Sequence, residues 1–93
     1  MVRVTVKFMS VARLRVGLST VKLVSTATRL GDVLRELVDS YQIGDIFITE
    51  SGEVRRWARV LVNGRSQEFL GGLSLELHDD DTLALVYPYT ENF

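Results

Sequence analysis

The sequence has no cysteine. That absence alone excludes disulfide staples, thiolate zinc sites, cysteine-held iron–sulfur clusters and any cysteine nucleophile. It has a single histidine, a single tryptophan and a single proline, so it holds neither a histidine-rich metal motif nor a proline-rich linker. No apolar run approaches the ~20 residues that cross a bilayer; the most compact one covers only residues 83–87. The chain opens in polar–apolar alternation and not with an apolar leader, so the expected setting is soluble, reducing and cytoplasmic. Charge of one sign is missing too. Eleven basic and twelve acidic residues leave a net charge of -1, which by balance favours neither nucleic acid nor a membrane as partner.

What is present is ordinary globular material. The chain has 93 residues, 46% hydrophobic and 25% charged, which suits a single domain over 1–93. Val2, Val4, Val6 and Phe8 alternate with Arg3, Thr5, Lys7 and Met9, the period-two signature of a half-buried strand. Residues 10–17 break that pattern and read as a long, partly apolar loop reversing at Gly17. Residues 20–24 read as the second strand of an antiparallel hairpin. Leu30, Val33, Leu34, Leu37, Val38 and Tyr41 recur at spacings of three and four, which predicts the main helix, with Thr28 as its N-cap and Gly44 as its stop.

Beyond the helix, residues 45–56 read as an irregular or hairpin-like excursion. A strand over 57–62 should put Trp57 in the core or at a sheet edge, and Asn63-Gly64 suits a tight type I′ turn. A short strand over 66–69, an acidic turn at Asp79-Asp80-Asp81 and a last strand over 82–87 complete the order. One helix must lay its apolar stripe on one face of a single sheet. First and last strands sharing the middle of that sheet would run parallel. The expected fold is therefore α+β, a β-grasp: a mixed sheet of four to five strands with one main helix packed on one face.

Five strings then carry a resemblance: VKFMSVARLRVG, ATRLGDVLREL, VLVNGR, EFLGGLSLEL and DDDTLALVYP, in this order over nearly the whole chain. Together they resemble the MoaD/ThiS family of ubiquitin-like sulfur carriers, which includes the small subunit of molybdopterin synthase. The resemblance implies a β-grasp fold and a C-terminal tail ending in Gly-Gly. Its carboxylate is adenylated, converted to a thiocarboxylate and delivered into a partner enzyme. Glycine is needed there because backbone pressed against tunnel walls leaves no room for a Cβ. Here Glu91 and Asn92 stand where the diglycine belongs, with Phe93 one position beyond, and the only Gly-Gly is Gly71-Gly72.

The expected site is accordingly a docking surface without catalysis, cofactor or metal. Met9, Ala84 and Val86 should form an apolar patch on the sheet face away from the helix. Tyr87, Pro88, Tyr89, Thr90, Glu91, Asn92 and Phe93 should supply an aromatic tail (89–93 as the tail proper) that inserts into a partner or covers the sheet. The implied partner is a protein of the synthase large-subunit or activating-enzyme type, with a homo-oligomer left open. At most the chain is a non-catalytic small subunit or a protein cosubstrate. Molybdopterin biosynthesis is the nearest pathway. Two alternatives are a working sulfur carrier with a processed or atypical tail, and a strand-exchanging structural module. His78 beside the acidic turn reads as solvated surface, and the arginines around 55–65 as a charged sheet edge.

Overall fold

The computed structural model describes residues 1–89, and of Phe69 the backbone alone. Strand β1 (Val2–Ser10) runs directly into the short helix α1 (Val11–Val16), followed by β2 (Thr20–Ser25) and the main helix α2 (Leu30–Tyr41). A one-turn helix α3 (Gly44–Phe47), strand β3 (Arg59–Val62) and the two-residue β4 (Arg65–Ser66) come next. Two 3-10 turns (Gln67–Phe69 and Gly72–Ser74) then lead to β5 (Thr82–Tyr87). The strands form one sheet in the order β2-β1-β5-β3-β4. β1 and β5 are parallel in its middle and the other pairs antiparallel. This is the β-grasp fold that the pattern predicts.

Period two decides which side of the sheet is dry. Val2, Val4, Val6 and Phe8 of β1 are buried together with Val60, Val62, Leu83 and Leu85 from β3 and β5. Onto them α2 lays Leu30, Val33, Leu34, Leu37 and Val38. Each such side chain contributes about 1.5–3 kcal/mol by leaving water. Phe8 meets Tyr41 of α2 edge-on, with ring centroids 5.1 Å apart.

The Asn63-Gly64 turn forms as expected, with φ of 52° and 86°. The Asn63 side chain also holds the start of β5. Its Nδ2 donates to Asp81 Oδ1 and its Oδ1 accepts the Thr82 N–H, both at 2.9 Å. Asn63→Ala keeps a left-handed backbone that costs an ordinary residue about 1–2 kcal/mol and removes both bonds. We expect a loss of about 2 kcal/mol, or roughly 8–16 °C in Tm by thermal unfolding. Asn63→Gly should recover only the backbone part. An unchanged Tm in the alanine variant would show that the turn does not depend on this side chain.

Several local expectations are corrected. Residues 10–17 are not a loop: α1 occupies Val11–Val16, buries Ala12 and ends on Gly17, whose N–H donates to the Arg13 carbonyl at φ 83°. Six residues are too few for a helical stripe to show in sequence. Thr28 is not the cap of α2. Arg29 is, without a side-chain cap bond. The Leu30 N–H instead donates to the Leu75 carbonyl (2.9 Å), while the Thr28 carbonyl accepts from Leu77 (2.7 Å). A strand-like bridge to residues 75–77 thus does the work expected of a hydroxyl.

Gly44 does not stop α2; Gln42 does, in the left-handed conformation, and Gly44 begins α3. The excursion after α3 is hairpin-like, closed by an Ile48–Val54 bridge and the Thr49 N–H to Glu53 carbonyl bond of 2.8 Å. The strand expected over 57–62 begins only at Arg59, and the one expected over 66–69 is β4 followed by a 3-10 turn. Trp57 therefore precedes β3 and is 51% exposed, not core.

Candidate functional site

The sheet face turned away from α2 is built from the alternate residues that β1, β2, β3 and β5 do not bury. Register sets their neighbours. Lys7 stands beside Ala84, and Ala84 beside Leu61 and, further out, Ser66; Met9 stands beside Val86, and Val86 beside Arg59. On the other flank Thr5 pairs with Lys22 and Arg3 with Val24. Met9 is 46% exposed and Val24 54%. Val86 is only 8% exposed, so it contributes little accessible surface to the patch expected of Met9, Ala84 and Val86. Leu61 completes the row instead. The alternation Arg59, Val60, Leu61, Val62 already carries the signal for it, once the strand is known to begin at Arg59.

The chain beyond β5 comes back to this same face at Tyr89. Tyr87 turns partly into the core, its ring 6.3 Å from that of Phe47. Pro88 is exposed. The Tyr89 N–H donates to the Trp57 carbonyl at 2.7 Å. Its ring lies 5.0 Å from the Arg59 guanidinium, a cation–π contact. Tyr89, Leu61, Gly64, Arg65 and Ser66 line an open hollow of about 500 Å³. The beginning of the tail is therefore folded back over the outer face of β3. Thr90, Glu91, Asn92 and Phe93 lie outside the described residues.

Other sequence candidates have plain structural roles. The Asp79-Asp80-Asp81 turn is hydrogen-bonded to backbone: Asp79 accepts the Arg3 N–H (2.9 Å) and Asp81 the His78 N–H (2.8 Å). Among the described residues no group of three or more His, Asp or Glu side chains is placed to hold a metal ion. Nor is any helix among them long and apolar enough to cross a membrane. Gly71 and Gly72 both have positive φ, 104° and 76°, in the turn that leads the chain under α2, so this diglycine is a folding element.

One ion pair anchors α1. Arg15 clasps Asp45 with both guanidinium nitrogens (3.0 and 3.1 Å) and also donates to the Gln42 carbonyl (3.0 Å), tying α1 to the end of α2 and to α3. The hydrogen bond from Arg15 is the main reason the Asp45 carboxyl is held below its ordinary range, and the same bond raises the Arg15 guanidinium. Neither group is enclosed, so this is a positioning contact on the surface.

The comparisons agree with this fold. The ThiS family model matches residues 6–90. No curated protein matches the chain. Among solved structures, small archaeal modifier protein 1 from Methanosarcina acetivorans superposes with a TM-score of 0.80 at 26% identity, covering 100% of this chain and 98% of that one. The Haloferax volcanii HVO 2177 protein gives 0.77 at 29% identity, with 98% and 87% covered. A chain of the Amycolatopsis orientalis BexX/CysO complex gives 0.75 at 23% identity, with 97% and 99% covered, and there the likeness is one of fold. With strand order, the parallel central pair and the family match over residues 6–90 in agreement, the chain belongs to the ThiS family of ubiquitin-like sulfur carriers.

Proposed function

We propose that this chain acts by docking to a protein partner of the activating-enzyme or synthase large-subunit type. It presents the face that carries Met9, Ala84 and Leu61 together with the tail that begins at Tyr87. The observation that carries this reading is the shared face: Tyr89 leaves β5 and settles over Arg59 and Leu61, so a partner gripping that face meets the tail at once. Molybdopterin biosynthesis is the pathway nearest to the family resemblance, and a cytoplasmic setting fits it.

The tail chemistry is the second half of the proposal. Adenylation of the family type needs bare backbone next to the carboxylate, and Glu91, Asn92 and Phe93 stand where the resemblance places the diglycine and the position beyond it, so side chains occupy them. The test is to mix the chain with a ThiS-family activating enzyme and ATP, and to follow both complex formation and intact mass. A complex without an adenylate is expected. Leu61→Asp, which places a charge at the β3 end of the patch, should weaken the complex by about tenfold or more. No complex at all would overturn the docking reading. A C-terminal adenylate or thiocarboxylate would overturn the non-transferring one and make the chain a working carrier, which the family match through residue 90 favours.

A further inference from the structure

The five strands contain no Asp or Glu, although twelve acidic residues are spread over the chain. The fold turns this into a separation in space. Arg3, Lys7, Lys22 and Arg59 all occupy positions on the outer face of the sheet, alternating with the core valines and leucines. Arg13 of α1 joins them, lining with Lys7 and Met9 a hollow of about 340 Å³ at the β1–β2 end. Behind the sheet the balance is reversed: residues 28–54, which hold α2, α3 and the hairpin, carry six acids against two arginines. The nearly neutral chain is thus a dipole, cationic on the docking face and acidic on the helix side.

We propose that the partner surface received by this face is acidic, with carboxylates meeting Lys7, Arg13 and Lys22 around an apolar centre that covers Met9, Ala84 and Leu61. The proposal rests on the docking reading above and names the chemistry of its partner. Acids limit the positive field at two places: Glu68 approaches Arg59 at 3.7 Å and the Asp79-Asp80-Asp81 turn lies beside Arg3. The strongest cationic region is therefore around Lys7, Arg13 and Lys22, where all three side chains are exposed. A complementary acidic surface would speed encounter by long-range attraction, while the apolar centre holds the complex once formed.

Three other occupants fit less well. Phosphate backbones would neutralise the lysines but leave Met9, Leu61 and Val24 facing water. Tyr89, the aromatic ring placed over this face among the described residues, is already stacked on Arg59, so its ring is not a free platform for bases. An anionic membrane laid on this face would bring its headgroups up to the acids at the rim, Glu68 beside Arg59 and the Asp79-Asp80-Asp81 turn beside Arg3. A second copy could offer its acidic helix side, but only head to tail, which builds a ring or a filament and not a two-fold dimer.

The experiment measures association of the full chain with the ThiS-family activating enzyme by stopped-flow or biolayer interferometry, at about 50 and about 500 mM salt. Electrostatic steering predicts that wild-type association slows about tenfold or more between these conditions. Lys7→Glu with Lys22→Glu should slow it by about as much at low salt and abolish most of its salt dependence. Lys7→Ala with Lys22→Ala should fall in between. Both pairs lie on the surface, and unchanged Tm values check that they fold.

Binding that persists with neither salt dependence nor loss in the reversed variant would overturn the acidic partner while leaving the docking reading intact. Absence of wild-type binding would remove both. Tighter binding to a single-stranded RNA oligonucleotide or to phosphatidylserine vesicles than to the enzyme would assign the face to phosphates instead. Self-association growing at low salt, seen by sedimentation, would assign it to a second copy.

Discussion

Phe47→Ala is expected to cost about 3–5 kcal/mol, at the upper end for loss of a core side chain. Phe47 is fully buried and sits at the end of the one-turn helix α3, where no long element could shift to refill its space. Its backbone is held as well: the Phe47 carbonyl accepts the Arg55 N–H at 2.8 Å and its own N–H donates to Ile43. The cavity would therefore stay open, and a cavity that cannot collapse carries the full penalty.

A 93-residue domain has on the order of 5–14 kcal/mol of stability in total. The loss should lower Tm by roughly 12–40 °C in a calorimetric or circular-dichroism melt. The consequence reaches the docking face, since Tyr87 packs against Phe47 and precedes the tail. Phe47→Leu, which keeps most of the apolar volume, should lose far less. A loss under about 1 kcal/mol in the alanine variant would mean that the ring is not seated as the fold places it.

Gly31→Ala should also destabilise, against the direction that helix propensity suggests. Alanine in place of glycine within a helix ordinarily gains about 1 kcal/mol. Here a Cβ on Gly31 would lie 3.1 Å from both the Cβ and the carbonyl oxygen of Leu73. Leu73 belongs to the second 3-10 turn, and that turn is fastened to α2 by the Leu30 to Leu75 and Leu77 to Thr28 hydrogen bonds. Backbone so pinned gives way poorly, and overpacking costs about 1–3 kcal/mol. We expect a net loss of about 1 kcal/mol or more, read as a lower denaturant midpoint with an unchanged slope. A more stable variant would show that the turn can retreat without cost.

How much of this was legible in advance differs from residue to residue. Val2 to Phe8 alternate over a full strand, so the core face of β1 and the outward direction of Lys7 and Met9 are readable without coordinates. The apolar stripe from Leu30 to Tyr41 is just as plain, and so is the Asn63-Gly64 turn, because positive φ at two successive positions suits few residue pairs. α1 is hidden because one and a half turns produce no stripe. Trp57 misleads because large apolar residues are usually buried, whereas here its neighbour Arg56 lies over the ring, 5.2 Å from its centroid, and half the side chain stays in water.

The candidate site divides along the same line. Met9, Ala84 and the tail residues can be singled out from pattern and resemblance. The near-complete cover of Val86, the entry of Leu61 and the seating of Tyr89 on Arg59 cannot, because each depends on what another strand places alongside.

The linear order of residues by itself determined the strand faces, the helix and the tight turn. These follow from periodicity and from backbone preferences that act between near neighbours. Only the tertiary structure decided that a bridge between Arg29 and Glu76 would cap the helix, that Tyr89 would return to its own sheet, and that scattered lysines and arginines would gather on one side. Those outcomes require distant segments to meet, and the free energy of such meetings lies in shared burial and pairing that no local spacing records.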